Sequence, residues 1–132
     1  MAAKHAYLSF VEEDLDLVNL FRGQAKNKKN DLTFDDYSVK KPFDSTDAEY
    51  IRTNIRAKIR AASIFICLIG VKTADSKWVD WETDFAGQEG KRLLGVRLHN
   101  GTKGERTPPA LTRHGGTVKN WDLDAIIAWI GN

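Results

Sequence analysis

Glu82 is the residue whose type and position most clearly indicate chemistry. At about 3.6 residues per turn, Trp78 to Glu89 places its large apolar side chains on one arc, and Glu82 falls in the middle of that arc. A bare carboxylate facing a core costs several kcal/mol unless it is paired, protonated or open to a cavity. In a low-dielectric pocket it can stabilise positive charge or hold hydroxyl groups. We therefore predict a site around Glu82. On helix position alone a structural carboxylate, stabilised by the helix dipole or by a lysine, is an equal alternative.

Two further groups of side chains could serve such a site. Ser9 and Phe10 end the first predicted strand, where packing is a simpler explanation than ligand contact. The segment 35–44 is long for a connection inside a compact domain, and such a length indicates a functional loop. Its candidate polar residues are Asp36, Ser38, Lys40 and Lys41. The two lysines are most simply explained as a solvated loop.

The elements that must position these residues alternate along the chain. Strands are predicted at 6–10, 32–34, 63–69, 93–96 and 117–120, and helices at 14–28, from Thr46, at 78–89 and from Asp122. Strict alternation predicts a single α/β domain, residues 1–132, with a doubly wound, five-stranded parallel sheet of the flavodoxin-like, three-layer α/β/α kind. The carboxyl ends of its strands would bring together Phe10, the loop after Phe34 and the segment after Gly70.

Side-chain patterns assign a face to each helix. The first helix is predicted to bury Leu17, Leu20, Phe21 and Ala25. Thr46 and Glu49 have capping-box spacing, and the stripe of Arg52, Arg56 and Arg60 predicts an exposed face or an assembly surface. In the third helix, Trp81 and Phe85 are assigned to the core and Thr83 to the polar arc. The stretch 98–116, rich in glycine and proline, predicts a loop.

Composition narrows the function. A formal charge of +2 argues against nucleic acid as a partner. Cys67, the only cysteine, lies in an apolar strand and is expected to be inert, and no histidine has metal-ligand spacing with it, so no metal is predicted. No run approaches the roughly 20 apolar residues of a membrane span, and no signal peptide is recognisable, so a cytoplasmic location without membrane contact is expected.

The motifs of other proteins with this fold are missing. The third strand ends Leu68-Ile69-Gly70, without the aspartate of a phosphoreceiver. The acidic residues after Val11 would repel the phosphate of FMN. There is no GxxxxGK[ST] and no GxGxxG.

The chain resembles a TIR (Toll/interleukin-receptor) domain, and more closely the stand-alone bacterial TIR-like subunit (ThsB type) of Thoeris antiphage defence. The resemblance spans roughly Lys4 to Leu98. It rests on Tyr7-Leu8-Ser9-Phe10 with its acidic tail, Asp35-Asp36, the apolar 63–70 and Ser76-Lys77-Trp78-Val79-Asp80-Trp81-Glu82, which matches a Ser-x-Trp-x-x-x-Glu box.

The resemblance implies an NAD+ glycohydrolase or ADP-ribosyl cyclase, with NAD+ as substrate and no cofactor. In such families the glutamate of the box is catalytic, and Glu82 occupies that position. Trp78 would line the pocket beside the ribose, Phe10 would stack on nicotinamide or adenine, and Ser9 would contribute a hydroxyl group to the site. The four candidate residues of segment 35–44, Asp36, Ser38, Lys40 and Lys41, would contact ribose or pyrophosphate.

The resemblance also implies a signalling nucleotide in antiphage defence, expected to be a cyclic ADP-ribose isomer; ADP-ribose or a conjugate remains an alternative. The expected partners are other copies of this chain, through self-association on activation, and a downstream effector that acts through the nucleotide product. Val11 and Val79 depart from the arginine and cysteine that many TIR domains carry at these positions. The phosphate or base contacts of that arginine must therefore be made elsewhere or be lost. The alternative function is a non-catalytic TIR-like adaptor that binds proteins, with Glu82 a structural relic.

Overall fold

A computed structural model describes residues 4–29, 31–36, 43 and 45–131. The strands are β1 (Lys4–Ser9), β2 (Leu32–Asp35), β3 (Ile64–Ile69), β4 (Arg92–Arg97) and β5 (Thr117–Asn120). The helices are α1 (Leu15–Lys28), α2 (Ala48–Ala61), α3 (Lys77–Gln88), α4 (Pro109–Arg113) and α5 (Leu123–Gly131). Short 3₁₀ turns at Glu12–Asp14 and Thr73–Asp75 follow β1 and β3.

The five strands form one parallel sheet in the order β2-β1-β3-β4-β5. The chain leaves β1 towards β2 on one side and continues from β3 towards β4 on the other. The order therefore reverses between β1 and β3, and in open α/β sheets ligands bind at the carboxyl ends of the strands at such a point. The prediction of a doubly wound parallel sheet is confirmed.

Two hydrophobic clusters cover the two faces of the sheet. On one face, Leu8 and Ile66 pack with α1 and α5. On the other, Tyr7 and Phe65 pack with α2, α3 and α4. Because side chains alternate along a strand, even-numbered residues of β1 face the first cluster and odd-numbered ones the second. β3 is buried along its whole length, as its continuous apolar sequence predicts.

Three local predictions are wrong. Leu20 is 51% exposed, since α1 buries Val18, Phe21 and Ala25, a stripe that leaves Leu20 beside it rather than in it. The Thr46–Glu49 capping box does not form: α2 begins at Ala48, and its cap residue Asp47 makes no side-chain capping bond.

The third concerns the stretch predicted as a loop, which contains the one-turn helix α4. Its Ala110 and Leu111 are fully buried. Five residues are too few to show helical periodicity in the sequence, and packing against α3 and β4 holds them.

In the part of the chain that the structure describes, no helix is long and apolar enough to cross a membrane.

Candidate active site

The carboxylate of Glu82 is fully buried at the contact between α3 and the centre of the sheet. Its Oε1 accepts a hydrogen bond from Ser9 Oγ at 2.9 Å, and its Oε2 accepts one from the Tyr7 hydroxyl. Tyr7 and Ser9 are two residues apart on β1, so both point to the same face of the sheet. Both carboxylate oxygens are thus held by hydroxyls from one rigid strand.

Cys67 lies beside this group of polar side chains. It pairs with Ser9 in the register of β1 and β3 and is fully buried. Burial raises the pKa of the Cys67 thiol, and the nearby negative charge of Glu82 raises it further. The thiol therefore stays protonated at neutral pH and is an inert neighbour, in agreement with the sequence prediction.

A cleft of about 420 Å³ opens at the carboxyl ends of β1 and β3, where the strand order reverses. Its lining residues follow those two strands: Val11, Glu13, Lys72, Asp75 and Ser76. Ser76 also caps α3, because its Oγ accepts a hydrogen bond from Val79 N at 3.2 Å. The α3 amino terminus and the end of β1 therefore border one cleft. Strand β1 also carries the Tyr7 and Ser9 hydroxyls that donate to Glu82.

Trp78 belongs to a row of aromatic rings along α3. It makes edge contacts with Phe43, at 5.0 Å between centroids, and with Trp81, at 6.1 Å, and Trp81 stacks on Phe85 at 5.9 Å. These rings are only partly buried and pack against the core from outside, so the assignment of Trp81 and Phe85 to the core is only partly right.

The arginine stripe of α2 covers this aromatic row. The Arg52 guanidinium carbon lies 4.4 Å from the Phe43 ring centroid and 5.4 Å from that of Trp78, and the matching distance from Arg60 to Phe85 is 5.1 Å. Arg56 lies over Trp81 at 5.4 Å. The predicted exposed face is therefore only partly right: Arg60 is exposed, whereas cation–π stacking onto α3 partly covers Arg52 and Arg56.

The remaining predicted site residues lie apart from Glu82 or outside the described residues. Phe10 is buried in the core cluster on the opposite face of the sheet, with α1 and α5. Asp36 forms an ion pair with Arg22 on α1. Ser38, Lys40 and Lys41 lie outside the described residues. Of the predicted set, and within the described residues, Ser9 donates a hydrogen bond to Glu82.

Tyr7 was missed by sequence reasoning. The available signal was a tyrosine in an otherwise apolar buried strand, since the hydroxyl of a buried tyrosine usually requires a partner. Thr83 was also misplaced: it is fully buried, and its hydroxyl has no hydrogen-bond partner among the described residues. Among those same residues, no three His, Cys, Asp or Glu side chains are grouped so that they could hold a metal ion.

The strand order, which reverses between β1 and β3, and the tryptophan–glutamate box in the helix after β3 together fit a TIR-like α/β domain. A family model described as Thoeris protein ThsB, TIR-like domain, matches residues 7–103. This chain belongs to that family and is a TIR-like protein of Thoeris defence. The match includes Tyr7, Ser9 and Glu82 and ends before α4. A search of curated proteins finds no significant match.

Proposed function

We propose that this protein cleaves the nicotinamide–ribose bond of NAD+, with Glu82 as the catalytic carboxylate, and that the nucleotide product is a signal in antiphage defence. The observation that supports this proposal most is the placement of Glu82. A buried carboxylate, oriented by Ser9 and Tyr7, lies at the strand whose end borders the cleft at the reversal point. NAD+ acts as substrate, and no cofactor is proposed.

The reaction needs a group that stabilises positive charge. When the C1′–N bond breaks, its electron pair leaves with nicotinamide, which becomes neutral, and the ribose becomes oxocarbenium-like. A carboxylate beside C1′ in a low-dielectric site stabilises that charge. An adenine nitrogen or a ribose hydroxyl then attacks C1′ and gives a cyclic ADP-ribose isomer. Attack by water gives ADP-ribose, and attack by another nucleophile gives a conjugate.

Substrate must reach a carboxylate that has no exposed surface. We propose that the ribose enters from the cleft and opens the contact between β1 and α3, with Trp78 as the wall of the ribose site. The pyrophosphate would lie nearer the α3 amino terminus, where Lys72 lines the cleft and lies 3.7 Å from the Glu13 carboxylate. Substrate phosphate would then compete with Glu13 for this lysine.

The test is nicotinamide release from NAD+, with mass analysis of the nucleotide product. We expect Glu82→Gln to lower kcat at least about 100-fold, the scale for loss of one electrostatic group from an active site. Glu89→Gln is the matched control, since Glu89 caps the far end of the same helix and pairs only with Arg60 among the described residues. Nicotinamide release retained by Glu82→Gln would refute the assignment.

We also propose that copies of this chain self-associate on activation and that a neighbouring protomer completes the active site, which a series of protein concentrations tests. If a neighbouring protomer completes the site, specific activity rises steeply with concentration. Specific activity that is constant over a hundred-fold concentration range would refute a composite site. The product mass separates a cycle from ADP-ribose and from a conjugate, and so defines what a downstream effector would bind.

A non-catalytic adaptor is the second candidate. Both oxygens of Glu82 already accept hydrogen bonds and the group is fully buried, which is also the pattern of a purely structural carboxylate. An adaptor predicts no nicotinamide release at any concentration and no binding of NAD+ by calorimetry. Binding of NAD+ without turnover would instead indicate an enzyme that awaits an activating trigger.

A further inference from the structure

We propose that Tyr7 is a positioning residue that holds the Glu82 carboxylate in its orientation and in its ionised form. Its importance for catalysis rests on the proposed function, whereas its action on Glu82 can be measured without any turnover. The proposal assigns a role to a side chain 75 residues away from Glu82 in the sequence.

The Tyr7 ring is fixed by the sheet. Tyr7 is fully buried and pairs directly with Phe65 in the register of β1 and β3. The two rings are stacked, with centroids 5.7 Å apart and planes inclined by 13°. Packing therefore restrains the ring, and the two central strands, rather than α3, position its hydroxyl against Glu82 Oε2. A change in α3 alone would not carry the hydroxyl away.

The two hydroxyls act on different oxygens. Ser9 donates to Oε1, and Tyr7 donates to Oε2. An ionised carboxylate is only an acceptor, so two donors match this form and disfavour the protonated one. They also fix the plane of a side chain that otherwise has free torsions. Ser9 donates to Oε1, so it does not replace the donor that Oε2 loses when the Tyr7 hydroxyl is removed.

The surroundings make the protonation of Glu82 measurable. Tyr7 on β1 and Cys67 on β3 are titratable groups that face Glu82 from the packed strands. Burial keeps the Cys67 thiol neutral, since it raises the pKa of that group. On acidification, the carboxyl resonance that is lost in Glu82→Gln therefore reports Glu82 and not this thiol.

The experiment titrates Glu82 directly in protein labelled with ¹³C at the glutamate side-chain carboxyl. Its resonance is assigned by its loss in Glu82→Gln. We expect Tyr7→Phe to raise the Glu82 midpoint by about one to two pH units, the scale of one hydrogen bond to a charged group. Tyr50→Phe is the control, because Tyr50 is 72% exposed on α2 and undergoes the same chemical change. An unchanged midpoint in Tyr7→Phe refutes the proposal.

A second variant covers the case in which Tyr7→Phe does not fold. Replacement of Tyr7 alone by 3-fluorotyrosine keeps the ring and makes the phenol a stronger donor. We expect the Glu82 midpoint to fall, and an unchanged midpoint would again refute the proposal. Thermal unfolding measured on each variant shows whether the shift occurs in folded protein.

Kinetics then separate this proposal from the proposed function. If the wild type releases nicotinamide, Tyr7→Phe is expected to lower kcat roughly 10- to 100-fold with little change in KM, because the carboxylate loses its alignment. The acid limb of kcat/KM is expected to move by the same pH interval as the resonance. Lost activity with an unmoved acid limb overturns the positioning role. A moved resonance without nicotinamide release by the wild type upholds the positioning role and overturns the proposed function.

Discussion

Arg52→Lys tests whether the arginine stripe organises the aromatic row beside Glu82. The Arg52 guanidinium lies over the rings of Phe43, Trp78 and Trp81, the last at 5.9 Å. It also donates a hydrogen bond to the Phe43 carbonyl at 3.0 Å. Lysine keeps the charge but loses the planar fork that stacks and donates at the same time.

The expected cost follows from these contacts. A cation–π contact stabilises by about 0.5 to 1 kcal/mol at exposed sites and about 2 kcal/mol when desolvated. A hydrogen bond from a charged donor contributes about 1.5 to 3 kcal/mol. The Arg52 side chain is 19% exposed, and lysine retains part of the attraction. We therefore expect Arg52→Lys to lower the free energy of unfolding by about 2 kcal/mol.

Arg60→Lys is the matched control on the same helix. The Arg60 side chain is 57% exposed, lies over Phe85 and forms a surface ion pair with Glu89, so Arg60→Lys should cost less than about 1 kcal/mol. Urea unfolding followed by tryptophan fluorescence and by circular dichroism measures both variants. Equal destabilisation by the two substitutions would refute the conclusion that Arg52 organises the row. We also expect Arg52→Lys to raise the KM for NAD+ if Trp78 walls the ribose.

Three further substitutions test the packing around α3. Thr83→Val should stabilise the fold by about 1 kcal/mol, because it removes a buried hydroxyl without a partner among the described residues; a lower melting temperature would contradict this. Gly87→Ala should destabilise by about 1 to 3 kcal/mol, since its Cβ would lie 2.2 Å from His114 Cγ. In a His114→Ala background the same change should stabilise by about 1 kcal/mol, as alanine favours a helix; a cost in both backgrounds would exclude the clash. Hydrogen bonds from His114, and then from Arg113, hold the pKa of Asp84 below its usual 3.8. The stability that Asp84 contributes is therefore present above pH 3.8 and is lost on acidification. The difference in melting temperature between the wild type and Asp84→Asn should shrink below that pH.

The longer elements were predictable because their signals are local. The continuous apolar sequence of β3 and the repeat of Ile51, Ile55 and Ile59 in α2 report burial directly, and both are buried. The boundaries shift by one or two residues, as for β1, which begins at Lys4. The helix α4 could not be found, because one turn has too few residues for a period and is held by tertiary contacts.

Burial of single side chains was less predictable. On a helical wheel Thr83 falls with Asp84, yet the structure buries Thr83 and leaves Asp84 to pair with Arg113 and His114. A wheel separates polar from apolar arcs, whereas the width of the buried arc depends on how many elements pack around the helix. Strands β1, β3 and β4 and helices α2 and α4 all contact α3.

By itself the sequence determined that strands and helices alternate, that Glu82 faces the core, and that its box resembles that of TIR domains. These features depend on residue types at short, regular spacing. Only the tertiary structure decided that Tyr7 and Ser9 hold the carboxylate, that Phe10 lies on the opposite face of the sheet, and that arginines of α2 cover the aromatic row of α3. The physical reason is that each of these contacts joins residues on different elements, and strand order and helix packing determine which elements meet.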